Sequence, residues 1–357
     1  RPPRSTLFPY TTLFRSRVDD GNTVSDFEQE EIARKTSISL TASRCEYTDR
    51  KGRHVTFNLL DVPGFFDYEG ERSEALAAAD NALIVTGAGG TLTVGTEKAI
   101  EYCLKNKIPS ILFINGLDKD NGNFVKTVHA IKEKYGNKIA PMIIPNMVDE
   151  KMKGFVKVAY GVLRDWERNE HPIPENLKAD YEEAHLAMCE AAAENDEELL
   201  DKFFAEGDLS GDEIERGVKL GVKACTTITV LGGSALKNQG IFNLMDKMVS
   251  TMLSPADAKP QKAFDDGKEV FIKPDADAPA AAHIFKTTVD PFVGRLNMFR
   301  VLTGTIKSGD MLIDGRTGES QKIGAIYYLR GKKQIPADEI TAGGISAVGQ
   351  IRAGATG

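Results

Sequence analysis

The sequence predicts an α/β fold with a doubly wound sheet and a helical insertion, followed by a small β-barrel domain. Three observations predict it. Short apolar runs alternate with helical stretches in the first part of the chain. An Ala- and Glu-rich segment then interrupts that alternation, and short β-type runs with closely spaced turn signals fill the last part. The length of 357 residues suits two or three domains.

Four short apolar runs predict the strands of the sheet, at residues 56–60, 81–86, 111–114 and 228–231. Runs of this kind are typical of strands that are buried on both faces of a parallel sheet. Ligands of such sheets bind beyond the carboxyl ends of the strands. The polar residues that end these runs are therefore the candidate site residues.

Helices are predicted between these strands. Apolar side chains recur at helical intervals in residues 124–135 and 241–253, and acidic Glu97 opens a further helix over residues 97–104. Residues 155–222 lack long strand runs and include a strong helix former at 182–197, so they predict a mainly helical insertion.

The two ends of the chain do not follow the alternation of strands and helices seen in residues 56–253. Residues 1–16 contain a repeated Thr-Leu-Phe and resemble a translated sequencing adapter, although a short native strand interrupted by Pro9 is the alternative. We expect an α/β domain over residues 17–254, a linker and lead-in over 255–282, and a truncated β-barrel over 283–357.

Composition narrows the class of protein. The hydrophobic fraction of 41% is that of a globular protein. The chain has a net charge of −7 and a pI of about 5.5, so it lacks the positive charge for tight binding to bare nucleic acid, DNA included. No apolar stretch suits a membrane span, and no signal peptide is recognisable. The four cysteines and five histidines show no metal-binding spacing, so we expect reduced thiols and no histidine ligand.

The strongest local motif is Asp61-Val62-Pro63-Gly64, directly after a predicted strand. In P-loop GTPases an Asp at this place reaches the Mg²⁺ of the nucleotide, and the Gly lets its N–H approach the γ-phosphate. Taken alone, the motif is more often a plain turn.

Two further motifs follow later strands. In Asn115-Gly116-Leu117-Asp118, the Asp118 carboxylate can accept hydrogen bonds from N1–H and N2–H₂ of guanine, a pair that adenine lacks, and Asn115 would tie the loop together. In Ser234-Ala235-Leu236, backbone N–H groups can face the guanine carbonyl oxygen. Ordinary loop turns are the alternative for both.

The order of these motifs resembles that of elongation factor G, and the resemblance covers residues 17–357. The β-barrel domain of that family is similar to the segment Asp290-Pro291-Phe292-Val293-Gly294-Arg295-Leu296. Its first switch is similar to the segment Glu30-Glu31-Ile32-Ala33-Arg34-Lys35-Thr36-Ser37-Ile38. Ser37 stands where the family has its Mg²⁺-binding Thr. The resemblance implies a cytoplasmic, monomeric GTPase that binds GTP or GDP with Mg²⁺ and acts in ribosomal translocation or disassembly.

The departures from that family pattern are as informative. The phosphate loop, Gly-x-x-x-x-Gly-Lys-[Ser/Thr], is absent, Gly116 replaces a Lys whose stem packs on the base, and Phe65 replaces the His that orients the attacking water. Loss of about three phosphate contacts of roughly 1.5–3 kcal/mol each predicts that affinity falls by about three or more orders of magnitude. Two alternatives therefore stay open: a ribosome-protection or regulatory paralogue with weak hydrolysis, and an inactive gene fragment.

Overall fold

The structure is a computed structural model that describes residues 18–149, 151–265, 267–290 and 294–349. The chain forms two compact units, which are described separately below. The first unit combines Arg1–Asp80 with Ser254–Gly357, and the second is the continuous segment Asn81–Leu253. The predictions made for residues 1–16 and for 350–357 lie outside the described residues.

The elements are numbered in chain order. The helices are α1 Gln29–Arg34, α2 Glu69–Ala78, α3 Val94–Asn106, α4 Phe124–Tyr135, α5 Lys178–Ala193, α6 Glu197–Glu206, α7 Gly211–Ala224 and α8 Ile241–Thr251. The strands are β1 Thr41–Thr48, β2 His54–Asp61, β3 Ala82–Gly87, β4 Ser110–Asn115, β5 Ile139–Pro141, β6 Ile143–Val148, β7 Lys151–Lys157, β8 Val162–Asp165, β9 Glu170–His171, β10 Ile228–Gly233, β11 Gln261–Asp265, β12 Lys268–Ile272, β13 Ala281–Asp290, β14 Gly294–Thr303, β15 Thr305–Lys307, β16 Met311–Ile313, β17 Ser320–Lys322, β18 Ile326–Arg330, β19 Lys333–Ala337, β20 Glu339–Thr341 and β21 Ile345–Gly349.

A parallel sheet forms the centre of the second unit, with the strand order β3-β4-β10-β5. The apolar runs 81–86, 111–114 and 228–231 supply three of these strands, so the predicted α/β class is confirmed. Side chains on both faces of β4 and β10 are buried, because helices cover the sheet. The helices predicted at 97–104, 124–135 and 241–253 are α3, α4 and α8.

The run at residues 56–60 does form a strand, but the prediction that it belongs to the parallel sheet is wrong. It lies in β2, which pairs antiparallel with β1 over its full length in the first unit. Polar Thr56 and Asn58 alternate with Val55 and Phe57 in this run, a pattern typical of an antiparallel strand with one solvated face. The Asp49 carboxylate closes the hairpin by accepting hydrogen bonds from the N–H groups of the turn.

The insertion is helical only in its second half. Residues 178–224 form α5, α6 and α7, as the sequence predicts. The antiparallel sheet β6-β7-β8-β9 precedes them, however, so strands occupy residues 155–157 and 162–165, where helix was expected. Trp166 donates a hydrogen bond from its indole N–H to the carbonyl of Met152 and packs on Phe155 at this sheet.

The first unit is rich in strands, as expected for the second part of the chain. Its main sheet has the strand order β13-β14-β21-β18-β1-β2, with β19 paired to β18. The predicted linker is not plain coil, because β11 and β12 form a hairpin within it. One apolar cluster of this unit places Ala75 and Ala78 of α2 against Phe285 and Met298 of the sheet.

Two other expectations concern membranes and disulfides. Within the described ranges, no helix combines the length and apolar content that a bilayer span requires. The four cysteines are free thiols, as their spacing predicts, and they are Cys45, Cys103, Cys189 and Cys225.

Candidate functional site

Asn115 joins the two loops of the second unit that the sequence assigns to a nucleotide base. It ends β4 and lies in register with Gly87 of β3 and Gly233 of β10, at the carboxyl edge of the sheet. Its side-chain oxygen Oδ1 accepts a hydrogen bond from the backbone N–H of Ala235 at 2.9 Å. Asn115 therefore ties the 115–118 loop to the loop after β10.

The loop after β10 is held closed by its own backbone. Ser234 and Gln239 exchange two backbone hydrogen bonds of 2.9 and 3.0 Å, and the buried Ser234 hydroxyl accepts from the N–H of Lys237 at 3.1 Å. A Cβ on Gly233 would lie 2.1 Å from the Gln239 carbonyl oxygen, so only glycine fits there.

These hydrogen bonds determine which backbone N–H groups of the loop remain available to a ligand. The N–H groups of Ser234 and Ala235 already have partners within the protein. The backbone N–H of Leu236 has none among the described residues, and Leu236 lies exposed at the tip of the loop. Of the three N–H groups that the sequence predicts to face a guanine oxygen, two are thus already used within the protein.

Asp118 presents a carboxylate that the described part of the protein leaves unused. It follows Leu117, which is buried and donates its backbone N–H to the Gly233 carbonyl at 3.1 Å. Asp118 itself is half-buried, and no described residue hydrogen-bonds to its side chain. A half-buried carboxylate on an anchored loop is suited to accept two N–H groups from a planar base.

Lys119 is a residue of this loop that the sequence analysis missed. Gly116 has a left-handed backbone with φ of +86°, which a lysine would adopt only with strain. The Lys119 side chain runs beside it, with its Cδ and Cε 3.5 Å from the place where a Cβ of Gly116 would be. The aliphatic stem that the sequence lacks at position 116 is therefore available from position 119.

In the first unit, Ser37 and Asp61 belong to one polar cluster. The Ser37 hydroxyl donates to Oδ1 of Asp26 at 2.7 Å, and Ser25 donates a side-chain hydrogen bond to Asp61. Shielding of its carboxyl from water and then the negative charges of Asp26 and Glu31 raise the pKa of Asp61, although the residue as a whole is exposed. No sequence motif pointed to Asp26.

This cluster has the composition of a site for Mg²⁺. A hydroxyl and two carboxylates, from Ser37, Asp26 and Asp61, supply the hard oxygen ligands that Mg²⁺ prefers. The negative charges of Asp26 and Asp61 repel one another, and a bound cation would relieve that repulsion. The residues present in the first unit therefore fit the metal that the sequence implies.

Gly64 and Phe65 follow Asp61 in the same unit. A Cβ built on Gly64 would meet no atom within 4 Å, so packing inside the protein does not explain the glycine. Phe65 has 61% of its surface exposed just before the turn that leads into α2. An exposed aromatic ring at this place has no donor or acceptor with which to hold a water molecule.

Comparison with known proteins defines the class. Residues 10–254 match the family described as Elongation factor Tu GTP binding domain, and residues 279–356 match Elongation factor G domain 2. The chain therefore belongs to the family of GTPases with an elongation factor Tu GTP-binding domain. The combination of the two domains places it among the elongation-factor-G-like translational GTPases.

Individual relatives agree with this placement. An elongation factor G of Mycoplasma pneumoniae is 29% identical over 345 residues, which cover 95% of this chain and 49% of that relative. A crystal structure of a Thermus thermophilus protein matches with a TM-score of 0.78 and 26% identity, over 95% of this chain and 48% of that one. The chain thus spans about half the length of both relatives.

Proposed function

We propose that this chain binds GTP and GDP with Mg²⁺ and acts in the cytoplasm on the ribosome, in translocation or ribosome disassembly. The observation that carries the proposal is the base-binding geometry of the second unit. There Asn115 fixes the Ala235 loop, while the Asp118 carboxylate and the Leu236 N–H have no partner among the described residues. Guanine offers two N–H donors and one carbonyl acceptor, which complement these groups.

The other roles rest on the residues of each unit taken separately. Lys119 would pack its stem on the base in place of a residue at 116. Asp61 and Ser37 would hold Mg²⁺ in the first unit, where Asp26 adds a further carboxylate. The metal would offset phosphate charge, and the backbone N–H of Gly64 would approach the γ-phosphate.

A second candidate function is favoured by Phe65. A chain with no group to orient water at this position would bind nucleotide and switch between states, yet hydrolyse GTP slowly. Such a protein would act as a regulatory or ribosome-protection factor. Ribosome-stimulated GTP turnover separates this function from the first.

The test is guanine selectivity, measured by calorimetry with GDP and ADP in the presence of Mg²⁺. Two proteins are compared: the chain itself, and a version in which residues 1–16 are replaced by the first strand and phosphate loop of a relative. We expect GDP to bind more tightly than ADP. The Asp118→Asn substitution should reduce that preference by roughly 100-fold, because it replaces a charged carboxylate with a neutral amide in which an N–H₂ donor stands where the second acceptor oxygen was.

Matched variants separate the roles of neighbouring residues. Asp120→Asn changes an exposed carboxylate in the same loop and should leave the preference unchanged. Lys119→Ala should weaken GDP and ADP to a similar extent, since packing of an apolar stem does not distinguish the bases. Equal affinity for GDP and ADP, or no binding of guanine nucleotide by either protein, would show that the proposal is wrong.

A further inference from the structure

Three different metal-ligating side chains meet in the second unit, away from the nucleotide residues. His185 and Cys189 lie one turn apart on α5, and Asp208 lies in the segment that joins α6 to α7. One potential ligand atom from each lies within 4.8 Å of the other two, and no other such group occurs in the part of the chain that the structure describes. Histidine spacing in the sequence gave no sign of this cluster, because only the fold brings Asp208 to α5.

The distances suit a tetrahedral metal. Cys189 Sγ lies 3.7 Å from His185 Nε2 and 3.6 Å from Asp208 Oδ1. Zinc–ligand bonds of about 2.0–2.3 Å at tetrahedral angles place ligand atoms about 3.3–3.7 Å apart. The two sulfur distances are already of this size. The His185 Nε2 to Asp208 Oδ1 distance of 2.8 Å would have to open by about half an ångström to admit the ion.

The surroundings orient the histidine for ligation. His185 Nδ1 lies 3.0 Å from the backbone carbonyl oxygen of Val158 and can donate its proton there. This arrangement directs the lone pair of Nε2 at the cluster, and a backbone carbonyl is a common outer partner of a metal-bound histidine. Cys189 is buried, whereas the Asp208 side chain is 67% exposed, so the cluster is open to water on one side.

Without a metal, the same residues form a hydrogen-bonded ion pair. The hydrogen bond with Cys189, and then that with Asp208, raise the pKa of His185 to about 9. That pairing accounts for the short contact between His185 and Asp208. The Cys189 thiol lies at nearly equal distances from both side chains, which is also the arrangement that a metal needs.

We propose that His185, Cys189 and Asp208 bind a divalent cation of the zinc class, with a water molecule as the fourth ligand. The nitrogen, sulfur and oxygen donor set favours Zn²⁺ over Mg²⁺, which binds oxygen ligands almost alone. The site joins α5 to the α6–α7 segment within the insertion. It does not depend on nucleotide binding.

The experiment titrates the full chain, reduced and freed of metal, with Zn²⁺ by calorimetry and with Co²⁺ by absorption spectroscopy. One zinc ion should bind per chain. Co²⁺ should give the intense visible bands of tetrahedral coordination and the thiolate charge-transfer band in the near ultraviolet. Cys189→Ser should abolish the charge-transfer band and weaken zinc binding at least about tenfold, which is the lower end of what even an outer partner contributes at such sites.

Matched variants make the result decisive. Cys225→Ser removes another thiol of the same unit and should leave both signals unchanged. Asp208→Asn should weaken zinc binding while the thiolate band remains, and its exposed position makes unfolding a minor concern. The proposal is wrong if zinc does not saturate at one site, if Cys189→Ser keeps the band, or if Cys225→Ser removes it. Should circular dichroism show that Cys189→Ser unfolds, an unchanged zinc affinity of Asp208→Asn would overturn the proposal.

Discussion

At the scale of single residues, a few positions set the chemistry of each unit. Asn115 and Gly233 illustrate two different requirements. Asn115 is needed for its side-chain oxygen, which holds the Ala235 N–H, whereas Gly233 is needed because a Cβ would collide with the backbone of Gln239. The first requirement is readable from residue type and place after a strand. The requirement for glycine at position 233 depends on a loop that closes onto the strand, and only the tertiary structure shows that contact.

Phe65 gives the sharpest prediction at this scale. Replacing it by His would supply a ring nitrogen able to position water, so we expect Phe65→His to raise ribosome-stimulated GTP hydrolysis about 100-fold. Single-turnover hydrolysis with purified ribosomes, in the version of the chain that carries a phosphate loop, measures this. Phe65→Leu is the matched control and should hydrolyse as slowly as the parent. A histidine variant no faster than the leucine variant would show that water positioning lies elsewhere.

At the scale of elements, buried ion pairs hold α2 and the segment after it against the sheet of the first unit. Arg300 of β14 is 3% exposed in its side chain and donates to the Ala78 carbonyl at 3.0 Å and to the Asp80 carboxylate at 2.7 Å. Lys286 of β13 likewise binds the Glu71 carboxylate, and donates to the Ser39 hydroxyl at 2.7 Å. β13 and β14 therefore each place one buried, positively charged side chain against α2 and the segment after it.

Loss of one such cation should be costly. Arg300→Ala leaves the Asp80 carboxylate without its partner in a poorly hydrated place, so we expect the free energy of unfolding to fall by roughly 3–5 kcal/mol. Urea denaturation followed by circular dichroism measures the change. Arg316→Ala, at an exposed arginine of the same unit, is the control and should alter stability by less than about 0.5 kcal/mol. A loss below about 1 kcal/mol for Arg300→Ala would contradict a buried, stabilising pair.

Element prediction succeeded where pattern and packing agree. Helix α4 begins and ends at the predicted residues, because Asn123 caps its first turn and its apolar residues face the core. The prediction of strand pairing failed where one residue pattern is compatible with two different partner strands. The run in β2 was assigned to the parallel sheet although its polar and apolar residues alternate, and its partner is β1. Hydrogen-bond partners are not encoded in a local window. The β-strands ahead of α5 were missed because Gly154 and charged residues weaken their apolar signal.

At the scale of the whole molecule, we expect nucleotide affinity to depend on phosphate contacts that neither the 115–118 loop nor the 234–236 loop supplies. The 357 residues contain no Gly-x-x-x-x-Gly-Lys-[Ser/Thr] sequence. Replacing residues 1–16 by the first strand and phosphate loop of a relative should tighten GDP binding about 1,000-fold, through phosphate contacts of roughly 1.5–3 kcal/mol each. Calorimetry on the two proteins measures the ratio. A matched graft whose loop Lys is changed to Ala should lose part of that gain, and equal affinities for chain and graft would contradict the expectation.

The sequence by itself determined the class of the protein. Periodicity predicted the α/β and β-rich parts. The order of three short motifs, together with the segment Asp290–Leu296, resembles elongation factor G and so indicated the family. Tertiary structure alone decided which strand pairs with β2, that Lys119 lies beside Gly116, and that His185, Cys189 and Asp208 meet. The reason is physical: local patterns report burial and backbone preference, whereas contacts between distant residues depend on how whole elements pack.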